Sequence, residues 1–238
     1  PMSNQVGHDI NYIALSGALH ALGEPDRPPR APLNLLGDYG GGAMMLVTGL
    51  LAGLLEAKST GRGRVVDAAM TDGSALLMSL FQALGARGLW SEGRGANLLD
   101  GGAPFYRSYA CKDGRFVAVG ALEPQFYAAL IAGLDIEPAS APQFDLAGWP
   151  ALHARLEAVF ATRDRDDWAT RFADTDACVT PVLTLAEAAR HPHNAARGTY
   201  ADRGVIQAAP APRFAGTPAE PAPELAPLSL QDAVARWA

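Results

Sequence analysis

The chain has 238 residues, 49% of them hydrophobic, which is enough apolar mass for one large domain or two small ones and excludes disorder as the main state. Nineteen Lys and Arg against 25 Asp and Glu give a net charge of −6, and the scattered basic residues exclude an electrostatic footprint for nucleic acid. The two cysteines, Cys111 and Cys178, lack metal-ligand spacing, so small buried thiols in a reducing, cytoplasmic compartment are expected.

No basic region followed by an apolar stretch opens the chain, so no signal peptide is read there. After Asp9, apolar residues at Ile10, Ile13, Ala14, Leu15, Ala18, Leu19 and Leu22 recur near helical spacing, which predicts a helix over Asp9 to Leu22. A Pro-rich loop leads into Gly37-Asp38-Tyr39-Gly40-Gly41-Gly42. A long helix then runs to about Lys58, with Asp38 at or just before its N-terminus. The longest uncharged run, Tyr39 to Leu55, is shorter than the roughly 20 apolar residues of a membrane span, so a buried helix and no membrane are expected. Gly49 and Gly53 give that helix a small-xxx-small face, which predicts close packing within the chain or across subunits.

Arg64 to Ala68 alternates like a short strand, and Thr71 to Leu89 is apolar at helical spacing. Phe105 to Cys111 and Arg115 to Gly120 are β-prone runs joined by Lys112-Asp113-Gly114, a hairpin turn. Helices follow over Gln125 to Leu134, Pro150 to Ala161 and Arg165 to Ala173. An extended piece over Cys178 to Thr184 and helical turns over Leu185 to Arg190 come next. A composition shift near Gly101 to Pro104 marks a domain boundary. The Pro-rich tail beyond Gly204 is expected to return over the first unit and end in a short helix, Leu230 to Trp237.

Two clusters carry chemistry-bearing groups. Gly7-His8-Asp9-Ile10-Asn11-Tyr12 sets an imidazole beside a helix start, and the Gly37 to Gly42 stretch sets a carboxylate beside a glycine-rich one. Each also fits a plain cap, with Asp9 or Asp38 satisfying first-turn amides. A cap needs no glycine run, whereas backbone amides that approach a ligand do. His191-Pro192-His193 offers two imidazoles without a third ligand, so no metal site is expected.

These clusters belong to a longer series. It runs through Gly7 to Tyr12, Pro32-Leu33-Asn34-Leu35, Gly37 to Gly42 and Gly61-Arg62-Gly63-Arg64-Val65-Val66-Asp67-Ala68-Ala69-Met70. Arg94-Gly95-Ala96-Asn97, Leu99-Asp100-Gly101-Gly102-Ala103-Pro104 and Val119 to Tyr127 continue it. In this order the series resembles the α-methylacyl-CoA racemases of the family III CoA-transferase superfamily. The Gly-Asp and Gly-Arg-Gly elements are shared across the superfamily, while the His-bearing element together with Glu123 points to the racemase branch.

The resemblance implies an α/β family III CoA-transferase fold. Residues 1–103 would be the remainder of a Rossmann-like, CoA-binding large domain without its N-terminal part. Residues 104–200 would be a small α+β domain, and 201–238 a return segment with a C-terminal helix. It implies His8, Asp38 and Glu123 as catalytic residues, with Glu123 paired to His8. Asp9, Tyr12, Asn34 and Gly40 would line the CoA thioester. It further implies a 2-methylacyl-CoA substrate, no cofactor, and an interlocked homodimer.

The chemistry agrees with those residue types. Inverting a carbon beside a thioester requires taking a proton from one face and returning one to the other, so two acid/base groups must flank it. Glu123 would fix the tautomer of His8 and stabilise its imidazolium form, while Asp38 serves the opposite face. The enolate oxygen calls for preorganised donors, expected from the backbone around Asp38 to Gly40, with the Asp9 N–H second. Two alternatives stand beside this reading: CoA transfer with Asp38 as acyl-accepting nucleophile, and an inactive interaction module dimerising through the Gly49/Gly53 helix. With the front of the large domain missing, the helices around Asp9 to Leu22 and Gly40 to Lys58 would expose faces otherwise covered.

Overall fold

Regular structure begins at His8. In the computed structural model, which describes residue 2, residues 4–215 and residue 229, α1 (Asp9–Leu15) opens with the His8 N–H donating to Asn11 Oδ1 at 3.0 Å. The helix expected to reach Leu22 stops at Leu15. Ser16 Oγ donates back to the Ile13 carbonyl at 3.0 Å, Gly17 takes φ +84°, and Leu19–Ala21 forms only a 3₁₀ turn.

The second helix starts earlier than its glycines foretold. Leu35–Ala43 is π-helical and runs without a break into α2 (Met44–Thr60), which Gly61 ends at φ +71°. Asp38 therefore lies inside a wide helical turn, not ahead of a helix. No residue of α2 is buried, which overturns the expected buried helix; Leu54 and Leu55 are 65% and 69% exposed. Leu35–Thr60 amounts to 26 residues, long and apolar enough to cross a membrane by length and composition, so the length argument against a span does not hold.

α3 (Met70–Leu77) crosses the π-helical turn at its glycines. A Cβ on Gly73 would overlap the Gly41 carbonyl, and one on Gly41 would sit 2.7 Å from both N and Oγ of Ser74. Ser79 Oγ bonds back to the Leu76 carbonyl at 2.6 Å, and the chain resumes as α4 (Ser79–Ala86), so the expected Thr71 to Leu89 helix is two helices. The small-residue face of α2 is occupied from within the chain: a Cβ on Gly49 would lie 2.6 Å from Val66 Cγ1. Arg64 to Ala68 is extended but pairs with no strand among the described residues. Its alternation records Val66 packed on a helix and Val65 turned to solvent at 94% exposure.

The core lies further along. Strands β1 (Tyr106–Ala110), β2 (Phe116–Gly120) and β3 (Val179–Pro181) form one antiparallel sheet in that order, with Gly114 at φ +74° closing the expected hairpin. Three helices, α5 (Pro124–Gly133), α6 (Trp149–Phe160) and α7 (Arg165–Phe172), supply Leu130, Leu156, Phe160 and Trp168 to a core shared with Phe105, Tyr109 and Val117. Tyr109 stacks on Phe160 at 4.9 Å between ring centroids and donates its hydroxyl to the Pro104 carbonyl at 2.5 Å. Among the described residues before Ala103, Ile13 and Ala18 are the only buried hydrophobic side chains, and no strand precedes Tyr106. Cys111 is buried as expected, whereas Cys178 is exposed.

The chain divides into two compact units, Pro1–Val182 and Leu183–Ala238, so the boundary expected after residue 103 falls inside the first. In the second, Thr184 and Glu187 form a capping box that starts α8 (Leu185–Arg190). A further helix, α9 (Pro192–Arg197), and a hairpin of β4 (Tyr200–Asp202) and β5 (Ile206–Ala208) follow. Neither was read from the sequence. The helix expected over Leu230 to Trp237 lies outside the described residues.

Candidate active site

Asp9 joins the two chemistry-bearing clusters. It is the first residue of α1 yet only 7% exposed, and its Oδ2 accepts the Asp38 N–H at 2.7 Å across 29 positions of sequence. Its Oδ1 is buried without a hydrogen-bond partner. The approach depends on Gly37, where a Cβ would lie 2.5 Å from Asp9 Oδ2 and 3.1 Å from Ile13 Cγ2.

Around this joint the other expected residues take their places. His8 caps α1 with its side chain exposed. The Asp38 carboxyl is also exposed, and its Oδ2 accepts from Asn34 Nδ2 at 3.1 Å. The half-buried Tyr12 folds back over Gly7, whose missing Cβ would lie 3.1 Å from the Tyr12 hydroxyl oxygen. Gly40 is half-buried beside Leu77.

Two expectations change. The Asp38 N–H is taken by Asp9 and the Tyr39 N–H by the Asn34 carbonyl at 3.3 Å, so those amides are unavailable to an enolate oxygen. The Asp9 N–H, at the first position of α1, lies where a helix offers no internal acceptor. The glycine run is likewise shared with packing, since Gly37 makes room for Asp9 and Gly41 for Ser74.

Glu123 stands apart from this group. It is the exposed N-cap residue of α5, and among the described residues no hydrogen bond or ion pair links it to His8. Partial burial, with the carboxylates of Glu123 and Asp176 behind it, holds the Cys178 thiol above its ordinary value.

Residues given no role in the sequence reading organise the loops between α1 and the sheet. Asn97, 6% exposed, donates to the carbonyls of Ser91 and Gly93 at 3.0 and 3.2 Å and to Asp100 Oδ2 at 2.8 Å. Arg94 donates to the carbonyls of His20, Glu24 and Arg27 at 3.2, 3.2 and 2.9 Å. This clasp ties the loop after α1 to the segment ahead of the small sheet. The Arg94-Gly95-Ala96-Asn97 motif was the available signal. Among the described residues no group of three His, Cys, Asp or Glu side chains is placed to hold a metal.

A sequence model of CoA-transferase family III matches residues 1–229. The chain belongs to this family. It is 46% identical over 222 residues to the alpha-methylacyl-CoA racemase of Mus musculus, covering 92% of this chain and 58% of that protein. To the alpha-methylacyl-CoA racemase of Homo sapiens it is 45% identical over 218 residues, 90% of this chain and 57% of that protein. This family III chain therefore spans less than two thirds of either relative. The crystal structure of a CAIB/BAIF family protein from Brucella suis matches 100% of this chain and 64% of its own, with a TM-score of 0.75 at 21% identity, and so shares the fold. The family and fold read from the motifs are borne out.

Proposed function

We propose that this family III chain carries the proton-transfer centre of a 2-methylacyl-CoA racemase, interconverting the two configurations at C2 through an enolate. One observation carries the reading: the Asp9–Asp38 hydrogen bond fixes the turn bearing the Asp38 carboxyl against the helix capped by His8. An exposed imidazole and an exposed carboxyl thus arise from one joint, the pair that a two-base inversion requires. The identity to the mouse and human racemases supports it.

In the forward direction His8 removes the C2 proton and Asp38, protonated, delivers one to the opposite face; the reverse direction exchanges the roles. The Asp9 N–H is the proposed donor to the enolate oxygen, since the amides of Asp38 and Tyr39 are occupied. Tyr12, Asn34 and Gly40 line the thioester. The reaction is proton transfer alone, and no cofactor forms part of the proposal.

Glu123 enters from a second copy. It makes no bond to His8 within one chain, and in the proposed interlocked homodimer it orients the His8 imidazole of its partner. The exposed apolar side chains of α2, such as Leu51, Leu54 and Leu55, favour such an association. A cytoplasmic location, resting on the two free thiols, belongs to the same reading.

A second reading rests on the exposure of Asp38. Its carboxylate attacks the thioester carbonyl and CoA thiolate leaves, forming a mixed anhydride. The thiolate returns at the aspartyl carbonyl and expels the donor acid; an acceptor carboxylate then exchanges with the resulting aspartyl thioester, leaving as the new CoA ester and freeing Asp38. Deuterium entering C2 from heavy water tests the racemase. A hydroxylamine-trapped Asp38 peptide after acyl-CoA addition marks the transferase.

A further inference from the structure

We propose that the Asp9 carboxylate is a positioning residue for Asp38, acting through the Asp38 backbone, and that Gly37 is the residue that admits it. This deepens the proposed function and rests on it for the role of Asp38; either chemistry, proton transfer or acyl capture, uses that carboxyl.

The Asp38 N–H is an amide that its own helical turn leaves without an acceptor. The Tyr39 N–H bonds the Asn34 carbonyl five residues back, which opens the π-helical ladder. The Asp38 N–H, one residue earlier, precedes that ladder and has no acceptor in its own turn. Asp9 supplies one from another helix, through a charge-assisted hydrogen bond of 2.7 Å. An aspartate in a first turn ordinarily faces solvent or its own helix amides. Here the side chain is 7% exposed, and its second oxygen has no partner, so its contact with the Asp38 turn is not a by-product of local capping.

Gly37 gives independent support. Its φ is not among the left-handed ones, so backbone conformation does not require glycine there. Space does: a Cβ would lie 2.5 Å from Asp9 Oδ2 and 2.7 Å from its Cγ. Asp38 is thereby held at both ends, its amide by Asp9 and its carboxyl by Asn34 Nδ2 at 3.1 Å. A reacting carboxyl gains from such fixing because small misplacements are costly, roughly 100-fold in rate for about 1 Å.

Four variants test it: Asp9→Ala removes the acceptor, Asp9→Asn keeps one, Gly37→Ala pushes the side chain away, and the Asp9→Ala/Gly37→Ala double does both. The readouts are kcat and KM for C2 proton exchange on a 2-methylacyl-CoA, and hydrogen exchange of the peptide containing Asp38. Asp9→Ala and Gly37→Ala should each lower kcat about 100-fold with KM nearly unchanged. Asp9→Asn should recover most of that loss, and the double variant should be no worse than either single one. Asp38 amide exchange should rise in Asp9→Ala and Gly37→Ala but not in Asp9→Asn. Wild-type kcat in Asp9→Ala, or equal damage in Asp9→Asn and Asp9→Ala, overturns the proposal. The amide readout keeps the two claims apart: lost protection in Asp9→Ala supports the contact whatever chemistry Asp38 performs, and unchanged protection removes it. Should Asp9→Ala fail to fold, Gly37→Ala and Asp9→Asn decide the question by the same two readouts.

Discussion

Gly73 meets the carbonyl of Gly41 with no room for a side chain between them, so α3 and the π-helical turn touch backbone to backbone. The turn that carries Asp38 is braced by this crossing on one side and by Asp9 on the other. Gly73→Ala should destabilise the protein by about 3 kcal/mol, since neither backbone can retreat. Gly63→Ala, where a Cβ meets nothing within 4 Å, should stay within about 0.5 kcal/mol of wild type. Urea titration followed by circular dichroism checks both values.

Phe160 joins two layers of the core between the three-stranded sheet and its helices, stacked on Tyr109 at 4.9 Å and edge-on to Trp168 at 5.2 Å, and it is fully buried. Phe160→Ala should cost about 3–5 kcal/mol through lost burial and the cavity left behind. The same titration measures it.

His153 gives the stability a pH dependence. Partial burial, with the Arg107 guanidinium next to it, holds its imidazole below the ordinary histidine value, and Arg107 Nη1 lies 3.4 Å from its Nδ1. Glu157 and Glu24 act in the opposite sense and only in part. The folded state thus binds the proton less readily than the unfolded chain does, so protonation favours unfolding. Stability should be full above about pH 6.5, fall as the pH drops below it, and level off below the folded value. Asp113 and Asp166, whose carboxyls are held below their ordinary value, titrate further into acid and leave this window clear. Melting temperatures from pH 7.5 to 5 should decline in the wild type and decline less in His153→Gln.

What the sequence reveals follows how local each interaction is. The Phe105 to Gly120 hairpin is legible because Asp113-Gly114 and the flanking alternation act over a few residues, and α5, α6 and α7 fall within a residue or two of their expected ends. The break after Leu15 is also local but was hidden, since Ser16 and Gly17 interrupt an apolar pattern that continues past them. Helical periodicity could not show the π-helical start at Leu35, because its register is set by contacts with α1 and α3. The pairing of His8 with Asp38 comes from the resemblance alone. The inward turn of Asp9 was not legible, because its partner amide is 29 positions away. Gly37 was the clue, a glycine whose need appears only once Asp9 is placed beside it. Val66 shows the converse: an apparent strand residue that fills the gap above Gly49.

In the proposed function, His8 and Asp38 exchange the proton on C2 of an acyl-CoA. Incubating the protein with one enantiomer of a 2-methylacyl-CoA in deuterated water, and following C2 by mass spectrometry and chiral analysis, measures this most directly. Deuterium should enter C2 with loss of configuration, and rates should be lower by at least about 100-fold in both His8→Ala and Asp38→Asn. Retained configuration without deuterium, accompanied by a hydroxylamine-trapped acyl group on Asp38, would contradict it.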